Sequence, residues 1–454
     1  MKKLSRILIG SGFVALLLIS WIVAINSKST AEKQDALIER ASKLAVDNIY
    51  ILAVPLLEEA AGYNAANTLK AEEALKIVYL KLADTRGFSR KYTELLEKQM
   101  SRKEAGPEVF EETAEYYLEA SKITEALDAL KDGIAKTGDA GLIEMYEYNR
   151  YKYEMSRTSY DYVAAISGST VQVRADGLWG LARADGTALI ECEYDKISTY
   201  SGGRAIVKKN GEIYAVDSNN NRVAKLHLED LGFGEDDKRY TQLRLEDFDF
   251  GNYGNNRVPF LIEGEWRRAN GDFEFGASTF QNFGMYSGGY AAAKTGGKWG
   301  VVDLAAKWLV PAEFDEIKQD ELGRCYAQKA VFARQGGAVY MYVGGEQVGN
   351  VYEDAHPFSE EGFAAVKKNG KWGFIDTAGT EIIGFMFDDA LSFGQHLAAV
   401  KIDDLWGYIN ISGKVVIEPI FIEAKSFSNG TAPVLTERGW QFITLLEYKK
   451  KVGL

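Results

Sequence analysis

Apolar and polar residues follow three different patterns along the chain, and each pattern predicts a different kind of element. From Ile7 to Ile25 apolar residues run on with few interruptions. From about residue 30 to residue 158 they recur every three or four positions, which is the spacing of helices that bury one face. From about residue 165 the period shortens to two, as in β-strands. The patterns therefore predict three regions.

The first apolar run is long enough for a membrane-spanning helix, which needs about 20 residues. Lys2, Lys3 and Arg6 precede it, and no small-x-small cleavage site follows Ile25. We therefore expect residues 1–28 to form an uncleaved signal anchor with a transmembrane helix. The N-terminus would then be cytoplasmic and the bulk of a single-pass cell-membrane protein extracytoplasmic. A cleaved signal peptide is the alternative, whereas a lipoprotein is excluded because no cysteine follows the run.

Residues 29–158 predict an α-helical domain of about six short helices joined by tight turns. Gly106-Pro107 marks the end of one helix and the start of the next. Between Ala114 and Ile134, small Ala120 and Ala126 stand among large apolar residues. Small residues at these positions would let two antiparallel helices approach closely.

This stretch resembles the tetratricopeptide repeat, whose unit has about 34 residues. It departs from the family at Ser121, where Gly is usual, and at Ile123, where Tyr is usual. The resemblance implies helical hairpins that act as a protein-interaction scaffold. A generic helical bundle is the alternative.

The unit of the C-terminal region is a β-hairpin. Phe363–Lys368 and Lys371–Asp376 read as two strands, and Asn369-Gly370 between them is the strongest signal for a two-residue hairpin turn. Glycine weakens a strand unless something packs closely against it. We therefore expect Trp372 to pack between repeats and an aromatic ring of another repeat to cover Gly373.

The hairpin recurs, and Trp372, Trp406 and Trp440 follow one another at equal intervals along the chain. Degraded copies bring the total to about eight units in an all-β repeat domain at residues 165–446. An aromatic-acid pair such as Phe387-Asp388 follows each hairpin, and we expect these acids to form turns. The repeat signature consists of Trp179, Gly180, Trp299, Gly300, Trp372, Gly373, Trp406, Gly407 and Trp440.

The combined pattern resembles the WG (KWG) repeat family of bacterial proteins throughout this C-terminal region. The resemblance implies a repeat or binding module without assigned catalysis, and it brings no active site. Units of about 34 residues suit three strands, whereas four-stranded propeller blades usually need about 40–45. We therefore expect an open stack of antiparallel meanders. A closed propeller-like ring is the alternative, because eight units could close and remove exposed edges.

Composition narrows the range of functions. A net charge of −12 argues against nucleic acid, since phosphate binding needs a basic surface. Cys192 and Cys325 lack metal-binding spacing, and the three histidines are scattered. No catalytic motif appears in a supporting context. We therefore expect neither a metal, nor a cofactor, nor enzyme activity.

The longest break in the repeats, residues 217–259, is the expected recognition loop, because long loops on rigid repeats often bind partners. Phe248, Phe250, Tyr253 and the nearby Trp266 are its candidate contact residues.

These patterns together predict a membrane-anchored extracytoplasmic scaffold that binds protein partners of the cell envelope. A module that binds cell-wall carbohydrate or peptidoglycan through exposed aromatic rings is the alternative, and buried Trp rings would count against it. An enzyme of unknown class is the second alternative.

Overall fold

The structure, a computed structural model, describes residues 29–232, 243–325 and 329–448. The chain divides into two compact units between Asn149 and Arg150. No helix in these described ranges is long and apolar enough to cross a membrane, because the helices are short and carry charged residues on their exposed faces. The predicted signal anchor lies in residues 1–28, outside the described residues. This finding corrects the predicted transmembrane helix and single-pass membrane localisation, and neither enters the function proposed below.

The described part of the first unit is helical, and its helices pack as hairpins, most extensively α2 with α3 and α5 with α6. These hairpins are consistent with the tetratricopeptide-like prediction. The helices are α1 (29–46), α2 (Tyr50–Gly62), α3 (Thr68–Lys81), α4 (Phe88–Met100), α5 (Pro107–Glu119), α6 (Ile123–Thr137) and α7 (Ala140–Asn149).

Small residues set the close approach of α5 and α6. Ala126 is fully buried, and a Cβ atom added to Gly133 would lie 2.7 Å from the Phe110 side chain. Ala120 is exposed, so the predicted packing role is wrong for that residue. Ser121 adopts a φ of +57°, the left-handed conformation that glycine favours, in the turn between the helices.

The second unit contains eight four-stranded antiparallel sheets, which are the blades of a β-propeller. Blades 1 to 7 take four consecutive strands each, starting from β2. The strands are β1 (Tyr153–Met155), β2 (Tyr162–Val163), β3 (Thr170–Ala175), β4 (Leu178–Arg183), β5 (Ala188–Tyr194), β6 (Lys196–Ile197), β7 (Ala205–Lys209), β8 (Glu212–Val216), β9 (Arg222–Lys225), β10 (Asp249–Phe250), β11 (Val258–Ile262), β12 (Glu265–Ala269), β13 (Phe275–Phe280), β14 (Asn282–Phe283), β15 (Tyr290–Thr295), β16 (Lys298–Asp303), β17 (Trp308–Phe314), β18 (Glu316–Ile317), β19 (Ala330–Gln335), β20 (Ala338–Val343), β21 (Glu346–Tyr352), β22 (Asp354–Ala355), β23 (Phe363–Lys368), β24 (Lys371–Asp376), β25 (Glu381–Phe387), β26 (Asp389–Ala390), β27 (Leu397–Ile402), β28 (Leu405–Asn410), β29 (Val415–Phe421), β30 (Glu423–Ala424), β31 (Thr431–Thr436) and β32 (Gly439–Leu445).

Blade 8 closes the ring, because it joins strands from both ends of the unit. Its sheet order is β1-β32-β31-β30, with Glu154 of β1 opposite Thr444 of β32. The predicted open stack of meanders is therefore wrong, and the closed propeller-like ring is the observed architecture. Four strands fit into so short a repeat because the first strand of each well-formed blade is only a dipeptide, such as Asp389–Ala390. A single residue, such as Asp195, separates it from the preceding blade.

The hairpin turn and the strand glycine of the repeat are explained by different features of the backbone. Asn369 and Gly370 have φ values of +53° and +77°, as the predicted two-residue turn requires. A Cβ atom on Gly373 would lie 2.8 Å from the carbonyl oxygen of Ile383, where β25 bulges towards β24. The expected aromatic ring over Gly373 is therefore wrong, because backbone of the adjacent strand occupies the space. The same close approach recurs at Gly180, Gly300 and Gly407.

The acids between blades connect neighbouring hairpins. Asp388 forms an ion pair with Lys371 in the blade 6 hairpin and accepts a hydrogen bond from the Asp403 N–H in the blade 7 hairpin (3.2 Å). Asp315 likewise pairs with Lys298 (2.6 Å) and accepts from the Gly336 N–H (2.9 Å). We call this arrangement the interblade clamp.

Candidate functional site

The signature tryptophans lie at the junctions between blades. Trp372 is buried in a cluster with Ala390 and Phe393 of the next blade, and Trp406 is buried with Ala424 of blade 8. Trp440 is also buried, whereas Trp179 and Trp299 are half-buried. The three buried rings offer no flat face for stacking on a sugar, which counts against the carbohydrate alternative at those blades.

Each well-formed blade carries the same row of side chains across its four strands. In blade 7, Asp389 lies opposite Lys401, Lys401 opposite Trp406, and Trp406 opposite Phe421. The basic residue shields the Trp ring: the Lys294 Nζ atom of blade 4 lies 6.0 Å from the centroid of Trp299. The row thus explains the Trp as part of a packed structure in which a basic side chain covers the ring.

The predicted recognition loop is only partly described, because residues 233–242 lie outside the described ranges. Phe248, Phe250 and Tyr253 are buried in one cluster with Phe260 of blade 3, and Trp266 is half-buried. These side chains belong to the blade core and offer little surface to a partner. Their role as contact residues stays a prediction.

A loop of blade 5 crosses the space that the first strands surround. The described part of this blade-5 loop, residues 318–325, follows β18. Leu322 is buried against Ala164 of blade 1 and Met285 of blade 4, and its carbonyl accepts from the Asn252 side chain of blade 3 (3.0 Å). One short loop thus contacts three other blades beside their two-residue strands, which places those strands around the axis.

Glu321 fixes the same loop to blades 8 and 1. Its carboxylate accepts a hydrogen bond from the Tyr162 hydroxyl (2.5 Å) and pairs with Lys425 Nζ (2.8 Å). Lys425 Nζ also lies 5.1 Å from the Trp440 ring centroid. Burial and the bond to Glu321 raise the pKa of Tyr162, so its hydroxyl stays a donor. The Glu321 carboxylate is therefore paired within the protein, and the loop lies across the propeller axis.

The free cysteines and His356 lie in surroundings that shift their pKa values. Burial raises the pKa of Cys325 to about 12 and also raises that of Cys192, so both free thiols are poor nucleophiles. Burial lowers the pKa of His356, whose ring stacks on Trp372 at 5.0 Å. In the ranges that the structure describes, no group of three or more His, Cys, Asp or Glu side chains is placed to hold a metal ion.

The helical unit contains buried charges that pair with one another. Glu72 is buried and bonds to Arg102 (2.6 Å) and Lys98 (3.0 Å). Burial opposes its ionisation, but the hydrogen bonds from Arg102 and Lys98 outweigh this and lower its pKa. Lys76 of α3 similarly pairs with Glu112 of α5 (2.5 Å). These pairs fix the helices relative to each other, and their charges are neutralised within the helical unit.

One side of α3 exposes three large apolar residues, with the exposed Glu73 between the first two of them. Leu69, Ile77 and Leu80 lie on α3 at spacings of eight and three residues, which places them on one side of the helix. Each is at least 44% exposed, although the opposite side of α3 is buried. We call these three residues the α3 strip. The spacing of the strip is visible in the sequence, but helical periodicity alone predicts a buried face and does not show which apolar residues stay exposed.

Strand order, ring closure and packed tryptophans define the second unit as a repeat β-propeller. Its repeats are WG repeats: the family model described as WG containing repeat matches the C-terminal region, as the resemblance indicated. The matched residues are 179–212, 278–299, 299–321, 351–372, 372–406 and 406–440. A comparison with curated proteins finds no match.

Several solved structures are similar at low identity. The Cps50 (Swd1) β-propeller domain of Myceliophteria thermophila is 8% identical with a TM-score of 0.34, over 65% of this chain and 99% of that chain. The Pan2 WD40 domain of Neurospora crassa is 9% identical with a TM-score of 0.33, over 65% and 95%. At these TM-scores the likeness adds nothing to the assignment, which rests on the strand pairing of this chain.

Proposed function

We propose that this protein is a non-catalytic scaffold that binds another protein through the α3 strip of its helical unit. The observation that carries the proposal is the exposure of Leu69, Ile77 and Leu80 on one side of a helix whose other side is buried. Exposed apolar residues clustered on one side of a helix are typical of protein-binding surfaces. Tetratricopeptide-like hairpins and a WG-repeat propeller are both typical of interaction modules.

Comparison with α5 shows that the strip is not a requirement of the helical fold. Ala71, Leu75 and Val78 supply the apolar contacts of α3, so the core does not need the strip. The exposed side of α5 carries Glu111 and Glu115. A solvated helix face is normally polar, as α5 is, and the α3 strip therefore requires a separate explanation.

The strip has the size of an anchoring site for a partner helix or loop. Full burial of a Leu or Ile side chain contributes about 1.5–3 kcal/mol. Three such residues, spaced along one helix, supply enough apolar contact for a reversible complex after the cost of association. Charges of both signs border the strip: Lys81 lies beside Leu80, Glu73 lies between Leu69 and Ile77, and Lys70 is paired with Asp35 (3.0 Å).

The test is quantitative affinity capture with the full-length chain as bait, comparing three baits at equal loading. Wild type is compared with Leu69→Glu/Ile77→Glu, and with Glu111→Lys/Glu115→Lys as the matched control on α5. We expect at least one protein to be captured by wild type and control and to fall about tenfold or more with the α3 variant. Equal capture by all three baits would contradict the α3 site, and substrate turnover by the purified chain would contradict the absence of catalysis.

A further inference from the structure

The fourth strand of blade 6 lacks the internal charges and prolines that protect many exposed sheet edges. β25 is the last strand of its sheet, and its outer edge has no strand partner among the described residues. After Glu381 it continues as Ile-Ile-Gly-Phe-Met-Phe, with neither a charge nor a proline. Proteins usually protect such edges with charged residues, proline or a covering segment, because unpaired strands recruit other strands.

Three of the other four seven-residue fourth strands carry a charge or a proline after their first residue, and the fourth, β21, carries the polar residues Gln347 and Asn350 instead. β5 contains Glu193, β17 contains Pro311 and Glu313, and β29 contains Glu418 and Pro419. The residue before the last of the strand is Glu in β5 and β17 but apolar in the other three strands: Val351 in β21, Met386 in β25 and Ile420 in β29. Met386 is the most exposed of these three, at 60%.

We propose that β25 pairs in antiparallel orientation with β25 of a second copy of this chain, about a twofold axis through Gly384. The strand is self-complementary around this residue, since two large apolar residues flank Gly384 on each side. Antiparallel pairing would place Ile382 opposite Met386 of the second copy, and Ile383 opposite Phe385. In a twofold interface the same contact is made twice, so the two exposed residues of β25 cover each other.

Space and charge at the two ends of β25 agree with this pairing. The nearest atom to a Cβ on Gly384 is the Glu381 Oε1 atom at 3.5 Å, so both backbones can approach at the axis. Glu381 has no ion pair among the described residues. In the pairing it lies beside Asp388 and Lys371 of the second copy, where the Lys371 ammonium group can interact with both carboxylates.

The expected dimer is reversible. Pairing of two strands buries less surface than the roughly 1,200–2,000 Å² of a standard interface. So small an interface favours a dissociation constant in the micromolar range. The proposal does not depend on the α3 strip.

Sedimentation velocity of the full-length chain over a concentration series provides the first test. Wild type should change from monomer to dimer with rising concentration, and Met386→Lys should weaken dimerisation tenfold or more. Ile420→Lys is the matched control, since Ile420 is 56% exposed in the adjacent blade, and it should dimerise nearly as wild type does. A wild-type chain that remains monomeric, because another molecule is the true occupant of β25, would overturn the proposal. An assembly unaffected by Met386→Lys would overturn it too.

A cysteine on the axis tests the register directly. Residue 384 faces itself across the twofold axis, so Gly384→Cys in a Cys192→Ser background should form one symmetric disulfide under mild oxidation. Glu418→Cys holds the same position in β29 and is the control. A covalent dimer of Gly384→Cys alone is the expected result on a non-reducing gel. Equal cross-linking of the two variants, or none in either, would overturn the register.

Discussion

At the scale of single residues, each Trp-Gly pair meets two opposite packing requirements at adjacent positions. The Trp372 ring fills the junction between blades 6 and 7, where a large apolar surface is needed. Gly373 faces the bulged fourth strand, whose carbonyl group leaves no room for a side chain. The dipeptide recurs because every well-formed blade has the same junction and the same bulge.

Substitution of the repeat glycine should therefore be costly. In Gly373→Ala the new methyl group would lie 2.8 Å from the Ile383 carbonyl oxygen, and backbone cannot move aside cheaply. We expect a loss of about 1–3 kcal/mol in the free energy of unfolding, measured by denaturant titration. Gly384→Ala is the control, because its nearest neighbour is a flexible side chain at 3.5 Å. Equal losses in the two variants would show that the bulge is not the reason for Gly373.

At the scale of elements, features formed within one hairpin can be predicted from the sequence, whereas features that depend on neighbouring strands cannot. The Asn369-Gly370 turn was predictable because both residues act within one hairpin. The prediction of three strands per unit followed from the repeat length of about 34 residues. A two-residue first strand such as β22 is too short to show alternation, so the pattern could not reveal the fourth strand. The blade-5 loop was missed, although the segment between β18 and β19 is twice as long as the one between β26 and β27. Its contacts with four other blades could not be predicted from the spacing of residues in the sequence.

The interblade clamp makes a pH-dependent contribution to stability. Hydrogen bonds from Lys371 and Lys298 lower the pKa values of Asp388 and Asp315 below the ordinary value near 3.8. A carboxylate with a lowered pKa stabilises the fold above its unfolded pKa, and this contribution disappears as pH falls through the folded pKa. Asp388→Asn/Asp315→Asn should therefore be less stable than wild type at pH 7, and the difference should shrink below about pH 4.

Thermal unfolding of wild type and the double variant from pH 7 to pH 3 measures this effect. Asp404→Asn is the control, since Asp404 is 99% exposed and forms only a 3.3 Å ion pair with Lys401. A difference between wild type and the double variant that persists or grows at low pH would argue against the clamp.

At the scale of the whole molecule, the chain combines a helical hairpin unit with a propeller whose ring is closed by its own first strand. The propeller is held together by its tryptophans, its interblade acids and the blade-5 loop. We therefore look for binding surfaces among the exposed apolar residues. The α3 strip and the edge of β25 are two such surfaces, on different units. We therefore expect the protein to function through these exposed surfaces.

Ring closure is the central structural claim, and one engineered disulfide tests it most directly. Glu154 and Thr444 lie opposite each other in β1 and β32, at a separation that antiparallel strands share with disulfides. Glu154→Cys/Thr444→Cys in a Cys192→Ser background should form an intramolecular disulfide, identified by peptide mass spectrometry. Glu154→Cys/Thr436→Cys, with the second cysteine at the far end of β31, should not. Failure of the first pair to form, or equal formation by both pairs, would contradict a closed eight-bladed ring.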